Sequence, residues 1–238
     1  PYYCPSAFAG NPLLISPQLL VTQGLLQKEA GERTEAAGPA TEIDFQLAVR
    51  TKQRLLLQAC RRFAASGDHG AYRRFCRQAA WLDDFALFTV LRSHYRPRGW
   101  TEWPQALRDR DPEALAEARQ TFQVRVEAQK ILQYLFFQQW SALKSYCNRR
   151  QIRLIGDMPI YVPQDSADVW TYPRCFKLTQ SGRPLAVSGV PPDYFSATGQ
   201  LWGHPVYDWE GLQRTDYGWW VARVAHHLRW YDVTRIDH

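Results

Sequence analysis

A guanidinium and a carboxylate stand two residues apart near the end of the chain, in Arg235 and Asp237. Around them, residues 231–237 alternate Val233 and Ile236 with polar neighbours, a pattern typical of a strand. Side chains of a strand repeat every two residues, so both groups should point to the same side. A guanidinium favours the ionised form of a neighbouring carboxylate and fixes its direction. The pair could therefore supply a nucleophile or an electrostatic stabiliser, or be only a surface ion pair at a strand end.

A second acid, Asp157, closes another stretch of strand composition, residues 151–157. A helical pattern precedes this stretch, and a further one over residues 217–230 leads into the strand of Asp237. Helices and strands that alternate in this way indicate a β/α protein. In β/α barrels the active site is built at the C-terminal ends of the strands and from the loops that follow. We therefore expect Asp157 and Asp237 to lie at such ends.

The connection between the two strands, residues 158–217, is long and carries seven of the fifteen prolines. A connection of this length in a compact domain is usually functional or disordered. Its aromatic content argues against disorder, because disordered segments are poor in aromatic residues. We therefore predict an ordered aromatic lip beside the strand ends. Its aromatic residues include Tyr161, Trp170, Tyr172, Phe176, Tyr194, Phe195, Trp202, Tyr207 and Trp209.

These residues fit the chemistry of retaining glycosidases, which use an ionised nucleophile and a protonated acid/base ~5 Å apart. Asp237, held by Arg235, matches the nucleophile. Aromatic side chains of the lip suit stacking on the apolar faces of sugar rings. Asp157 could hydrogen-bond sugar hydroxyls, or simply cap the turn that follows it.

Metal-assisted hydrolysis is the competing chemistry, with ligands drawn from Asp157, Asp208, Asp237, His204 and His238. No His-x-His or Glu-x-x-His spacing supports it. The Gly-rich phosphate loops GxGxxG and GxxxxGK[ST] do not occur, and neither does the GxSxG motif of serine hydrolases. The sequence motifs therefore give no support to nucleotide binding or to hydrolysis by a serine nucleophile.

Three regions organise the chain: residues 1–40, an N-terminal loop and connector; residues 41–150, a helical insertion leading into a barrel helix; and residues 151–238, two strands with the aromatic connection. Apolar spacing, caps and Gly/Pro breaks predict the helices. They are expected over residues 16–27, from an N-cap at Thr41 to about residue 66, over 71–80, over 81–95, and from Asp111-Pro112 to about residue 150 with room for one bend.

Composition narrows the class further. The 238 residues carry a net charge of +6, but the basic residues form no dense run, which favours a solvated face over a nucleic-acid surface. Five widely spaced cysteines without CxxC indicate reduced thiols in a cytoplasmic protein. No apolar run approaches the ~20 residues of a membrane span. Because the chain opens at Pro1 and closes at His238 inside motif-like stretches, we expect a piece of a longer protein.

Two long motifs resemble the 4-α-glucanotransferases, also called amylomaltases or disproportionating enzymes, of glycoside hydrolase family 77. The first is GDMPIYV at 156–162 with DSADVW at 165–170, and the second is GVPPDYFSATGQLWG at 189–203. The closing Arg235-Ile236-Asp237-His238 resembles the start of the family's nucleophile motif. Shorter matches are SAFAGNP at 6–12 and WLDD at 81–84, so the resemblance covers essentially the whole chain.

The resemblance implies an α/β fold, a partial (β/α)8 TIM barrel of the α-amylase type with a large helical insertion. It implies a retaining enzyme that cleaves an α-1,4 bond, forms a covalent glycosyl-enzyme and passes the glucan to the 4-hydroxyl of another sugar. Asp237 would be the nucleophile and Arg235 its positioning partner. The implied substrate-binding residues are Asp157, Tyr2, Asp193, Tyr194, Phe195, Trp202 and His238. The implied partners are maltodextrins of the starch type, and no metal or organic cofactor is expected.

The chain departs from the family pattern in two ways. His204 stands where the family has Asn, and the acid/base Glu and a third Asp of the family would lie on later strands. Because protonation of the leaving oxygen contributes ~10²–10⁴-fold to the rate, these 238 residues alone are expected to be inactive. Half a barrel would also leave strand edges unpaired and make the chain poorly soluble. An α-amylase-type hydrolase and a non-catalytic glucan-binding fragment remain the alternatives.

Overall fold

A computed structural model describes residues 4–28, 44–67 and 69–237, so Tyr2, Thr41 and His238 lie outside the described residues. Its helices are α1 Pro17–Thr22, α2 Phe45–Ala65, α3 Gly70–Gln78, α4 Leu82–His94, α5 Gln105–Arg108, α6 Pro112–Thr121, α7 Gln123–Arg149, α8 Ala167–Thr171, α9 Trp209–Gln213 and α10 Gly218–Trp230. Its strands are β1 Ile155–Pro159, β2 Val187–Val190, β3 Gln200–Pro205 and β4 Val233–Asp237. Short 3₁₀ turns occupy Pro12–Leu14, Trp100–Glu102 and Pro173–Cys175. None of the helices in the described ranges combines the length and apolar character that crossing a membrane requires.

The predicted start of the helix at Asp111-Pro112 is confirmed. The Asp111 carboxylate accepts hydrogen bonds from the backbone N–H groups of Glu113 and Ala114, at 3.1 and 3.0 Å. These N–H groups have no partner inside a helix, which is why an acid is favourable at this position. The expected bend lies at Phe122, where the chain leaves helical geometry between α6 and α7.

Two apolar clusters hold the helices together around the long helix α7. One joins α1, α2 and α3 to the middle of α7. The other surrounds α4, which contributes six buried residues to it, and includes the fully buried Trp170 of α8. Trp170 packs against Phe88 and Trp103, its indole N–H donates to the carbonyl of Leu107, and the guanidinium of Arg110 lies 4.2 Å from its ring centre. A tryptophan is well placed when its N–H finds a partner in the core.

Two glutamines of α7 fasten the N-terminal loop. The buried amide of Gln133 accepts from the N–H of Gly10 at 2.8 Å and donates to its carbonyl at 3.0 Å. Gln139 repeats the arrangement with Ser16, at 2.7 and 3.3 Å. Each side chain thus satisfies both backbone groups of one loop residue, as a neighbouring strand would. We call these two pairs the glutamine clamps.

Strands β1 and β4 pair in parallel, with Asp157 opposite Arg235 and Pro159 opposite Asp237. An α/β fold is therefore confirmed. Helix α10 leads into β4 and packs closely on β1. The close packing is shown by Gly156 of β1, where a side chain would collide with His227 and Tyr231. The apolar residues Ile155 and Ile236 of this sheet stay 71% and 54% exposed.

The prediction of a strand over residues 151–157 is wrong in its bounds. Gln151 has a left-handed backbone (φ 61°), and the N–H of Leu154 donates to the carboxylate of Asp232 at 2.8 Å instead of joining a sheet. The strand begins at Ile155 and ends at Pro159. Asp157 is therefore the third residue of β1 and not its end, whereas Asp237 is the last residue of β4 that the structure describes.

Candidate functional site

Arg235 joins the two carboxylates of the parallel sheet. Its Nη1 donates to Oδ2 of Asp157 at 3.1 Å, and its Nη2 donates to Oδ1 of Asp237. The first contact follows from the strand register and the second from the two-residue repeat of β4. Asp237 is only 7% exposed, whereas the side chains of Arg235 and Asp157 are largely open to solvent. Arg235, which Asp157 holds on one side, therefore fixes the direction of the buried Asp237 carboxylate on the other.

A cavity of about 340 Å³ opens beside the Asp237 carboxylate. Its walls come from the end of β1, from strand β3 and from Asp237 at the end of β4. Asp237 is the one carboxyl group among the described residues that line it. The lining residues are Pro159, Ile160, Tyr161, Gln200, Trp202, His204 and Asp237.

Aromatic rings form one side of this cavity. Tyr161 lies 6.3 Å from Trp202 between ring centres and stacks on Tyr207 at 5.6 Å. The hydroxyl of Tyr207 donates to the carbonyl of Ile160 at 2.6 Å. The predicted aromatic lip is thus ordered here, and Trp202 lines the cavity as expected. Ring faces beside a buried carboxylate suit a ligand with both apolar and hydroxyl-bearing surfaces.

Strand β3 supplies three cavity residues in alternation, Gln200, Trp202 and His204. Residues two apart in a strand share one face, so this spacing was a signal in the sequence. The predictions from sequence do not include Gln200, and they include His204 only as a candidate metal ligand and as a departure from the family pattern. Burial lowers the pKa of His204, which favours a neutral imidazole able to exchange hydrogen bonds with hydroxyl groups.

Asp157 lines a different cleft, of about 590 Å³, on the side of β1 that faces the N-terminal loop and α10. The structure joins Asp157 to Asp237 through Arg235, but it does not bring both carboxylates into one cavity. The loop residues Gly10 and Asn11, which the glutamine clamps hold near α7, also line this cleft.

Asp193, Tyr194 and Phe195 lie outside the cavity lining, in the turn that joins β2 to β3. Tyr194 and Phe195 are 97% and 87% exposed. The carboxylate of Asp193 accepts from the N–H groups of Phe195 and Ser196 at 2.9 and 2.8 Å, which gives the turn a defined shape. Two large rings are therefore presented to solvent at the tip of the hairpin.

Of the residues considered as metal ligands, those that the structure describes do not converge. Within ranges 4–28, 44–67 and 69–237, no three His, Cys, Asp or Glu side chains are placed so that they could hold an ion. Asp208 precedes α9 and pairs with Arg214 at 3.7 Å, and Asp157 and Asp237 are both bound by Arg235. Tyr2 and His238 fall outside the described residues, so their expected places in the site stay predictions.

Comparison with known proteins identifies relatives along the whole chain. The model of the 4-alpha-glucanotransferase family, glycoside hydrolase family 77, matches residues 1–238. The chain is 40% identical over 240 residues to a 4-alpha-glucanotransferase of Streptococcus pneumoniae and 41% identical over 242 residues to one of Thermus thermophilus. These alignments cover 100% of this chain and 48% and 47% of the relatives.

Among solved structures, the amylomaltase from Streptococcus agalactiae in complex with acarbose is similar, with a TM-score of 0.92 and 36% identity. The match covers 100% of this chain and 48% of that chain. The chain thus spans about half the length of the curated relatives it matches.

Proposed function

The chain belongs to the 4-alpha-glucanotransferase family, glycoside hydrolase family 77, and from this premise we propose that the full-length protein transfers α-1,4-glucan segments between maltodextrins. The observation that carries the proposal is the buried carboxylate of Asp237, which Arg235 contacts and which opens onto an aromatic cavity. A retaining reaction needs such a carboxylate, ionised and aimed at the anomeric carbon.

In the proposed reaction, Asp237 attacks the anomeric carbon of the donor glucan and forms a covalent ester, while the bond to the departing sugar breaks. An acid protonates the departing oxygen at the same time. The 4-hydroxyl of the acceptor then attacks the anomeric carbon, gives its proton to the conjugate base of that acid, and breaks the bond to Asp237. Arg235 positions the carboxylate throughout, anchored by Asp157 on its other side.

Binding of the glucan is proposed to use the rings of Trp202 and Tyr161 as apolar platforms beside Asp237. Asp157 is proposed to hydrogen-bond sugar hydroxyls from the neighbouring cleft. The exposed rings of Tyr194 and Phe195, with Asp193 at their base, are proposed to close over a bound chain. Tyr2 and His238 complete the proposed substrate-binding set.

The acid/base is proposed to come from a part of the full-length protein that these 238 residues do not include. Asp237 is the one carboxyl group among the described residues lining the cavity, and a retaining enzyme needs a second one ~5 Å away. The 238 residues alone are therefore proposed to be inactive. They are also proposed to be poorly soluble, because half a barrel leaves strand edges unpaired. A cytoplasmic location is proposed on the basis of five free thiols.

For the architecture we propose a partial (β/α)8 barrel. Residues 1–40 form the N-terminal loop and connector, residues 41–150 the helical insertion, and residues 151–238 two barrel strands with their long connection. The parallel pairing of β1 with β4, with helix α10 leading into β4, supports this reading. The open apolar residues Ile155 and Ile236 are then surfaces that the remaining barrel covers.

The test is to incubate the purified full-length protein with maltotriose and to analyse the products. Glucose together with maltodextrins longer than maltotriose is the expected result, and it should persist in EDTA. Glucose and maltose alone would indicate an α-amylase-type hydrolase and would contradict the proposal. Binding of maltodextrin without any product would instead indicate a glucan-binding protein.

A further inference from the structure

Arg223 of α10 is 3% exposed and faces the C-terminal end of β1. Its Nη1 donates to the carbonyl oxygen of Ile160 at 2.9 Å, and its Nη2 donates to that of Pro159. Nη1 also donates to the hydroxyl of Tyr207 at 3.2 Å, and this hydroxyl donates to the same Ile160 carbonyl at 2.6 Å. Three hydrogen bonds therefore fix two consecutive carbonyl groups where β1 ends.

The residues that carry these two carbonyl groups line the cavity that Asp237 opens onto. Pro159 and Ile160 both line it, and Tyr161, which supplies an aromatic face, follows directly in the chain. Pro159 is also the residue opposite Asp237 in the parallel register. A shift of the strand end would therefore change the distance between the cavity wall and the carboxylate.

Burying the Arg223 guanidinium costs free energy, because the cation loses its contacts with water. Hydrogen bonds and charges of the protein must replace those contacts. Burial is the main influence on the pKa of Arg223 and lowers it, while Tyr207 and the buried carboxylate of Asp168 favour the charged form. The rings of Trp219 and Trp220 lie 5.3 and 5.0 Å from the guanidinium carbon and add cation–π attraction. The planar guanidinium of Arg223 is thus held rigidly against the C-terminal end of β1.

We propose that Arg223 is a positioning residue for the reaction: it holds the carbonyl groups of Pro159 and Ile160 and so sets the cavity wall against the Asp237 carboxylate. This role rests on the glucan transfer proposed above. Arg223 does not belong to the lining of the Asp237 cavity in the described structure, although it lines the neighbouring cleft with Asp157. Because its guanidinium donates to the carbonyl groups of Pro159 and Ile160, it acts on the Asp237 cavity through the end of β1.

The test compares Arg223→Met, Arg223→Lys and a control, Arg229→Met, in the full-length protein. Arg229 lies on the same helix but is exposed. Because small misplacements of reacting groups are costly, we expect Arg223→Met to lower kcat for maltotriose disproportionation about 10- to 100-fold. KM should stay within about threefold, since the proposed sugar contacts of the Asp237 cavity and of the Asp157 carboxylate remain. Arg223→Lys keeps the charge and should restore part of kcat, and Arg229→Met should leave kcat unchanged.

Folding is measured on every variant by thermal unfolding and circular dichroism. A folded Arg223→Met protein with the wild-type kcat overturns the proposal even if its Tm has fallen, because Arg223 would then serve stability alone. If Arg223→Met does not fold, Arg223→Lys and Tyr207→Phe decide. Each disturbs only part of the carbonyl network, so a kcat lowered more than about twofold in either supports the proposal, and a smaller change in both overturns it.

The wild-type protein separates this proposal from the one it rests on. A wild type that makes no glucans longer than maltotriose contradicts the proposed function itself. An active wild type with unaffected Arg223 and Tyr207 variants contradicts only the positioning role.

Discussion

The helices and the parallel sheet of this chain differ in how far their apolar residues are covered. Helix α4 buries seven of its thirteen residues between its neighbours. In the sheet, Ile155 and Ile236 remain mostly exposed on β1 and β4, although the same strands carry Asp157, Arg235 and Asp237. Most of the apolar burial that stabilises the fold therefore lies in the helices, whereas the groups proposed for chemistry lie on a sheet whose apolar residues stay exposed in this chain.

This contrast separates two kinds of substitution. Changes in the helical clusters should reduce the free energy of unfolding and leave the reaction of folded molecules intact. Changes at the strand ends should reduce the reaction and leave folding largely intact. Each of the following experiments compares the two regions in the full-length protein, where the proposed activity can be measured.

The largest effect is expected for Asp237→Asn. An amide cannot act as the nucleophile, so glucan transfer should fall by at least about 10⁴-fold. Stability should change by less than about 1 kcal/mol, because the partner Arg235 is largely exposed and can be hydrated. Product analysis with maltotriose and thermal unfolding measure the two effects. Asp216→Asn, at an exposed turn, is the matched control and should stay fully active. More than about 1% residual activity in Asp237→Asn would contradict the nucleophile role.

A reversed pattern is expected for Trp170→Ala. Removal of this fully buried ring should cost about 3–5 kcal/mol in urea unfolding, because the cavity cannot close. The kcat of molecules that remain folded should not change. Val124→Ala, at an exposed position of α7, serves as the control and should cost less than about 0.5 kcal/mol. A Trp170→Ala protein as stable as the control would show that the helical clusters do not dominate folding.

Ile236→Ser tests whether the sheet is covered elsewhere in the full-length protein. The residue is exposed in this chain, and a surface substitution would cost less than about 0.5 kcal/mol. If the proposed barrel packs against it, the cost should instead be about 2–4 kcal/mol. Val124→Ser is the matched exposed control on the helical side. Equal urea midpoints for the two variants would argue against the partial barrel.

The smallest effect is expected for His226 of α10, which contacts the N-terminal loop and helix α7. Its Nε2 bonds the carbonyl of Phe8 at 2.8 Å, and the rings of Trp81 and Phe137 surround it. Burial is the main cause that lowers the pKa of His226 to about 4. The unfolded chain therefore binds more protons than the folded one between pH 6.5 and 4, and this residue destabilises the fold as the pH falls through that window.

Asp168 acts in the opposite direction, because burial raises the pKa of its carboxyl to about 6 and the folded form takes up a proton first. We therefore compare His226→Gln with the wild type and do not follow the wild type alone. Between pH 7 and pH 5 the variant should gain about 2 kcal/mol of stability relative to the wild type. A difference that does not depend on pH would show that His226 is protonated equally in both states. Urea unfolding at the two pH values measures it.

The sequence predicted correctly those features that depend on interactions between residues close together in the chain. The cap at Asp111 and the shared side of Arg235 and Asp237 depend on residues a few positions apart, and both are confirmed. The start of β1 was predicted wrongly because Leu154 bonds the carboxylate of Asp232, which lies 78 positions away. No local pattern contains that contact.

The site shows the same division. Trp202 lines the cavity, and its place in the wall of the site was implied by the family resemblance, while the alternation of Gln200, Trp202 and His204 is a signal that the sequence itself contains. The place of Arg223 could not be predicted, because it follows from the packing of α10 on β1 and from two backbone carbonyl groups, which carry no sequence signature. The separation of Asp157 from the Asp237 cavity likewise depends on the strand offset.

The glutamine clamps have a consequence for the evolution of this loop. Six positions separate Gly10 from Ser16, and six separate Gln133 from Gln139, so the loop between the clamps has to span the fixed distance between two side chains of one helix. Because each helical residue turns the side chain by about 100°, one inserted or deleted residue between the glutamines would point the second away from its partner. Substitutions between the clamps should therefore be accepted far more often than insertions or deletions, and homologous loops should differ in composition while keeping their length.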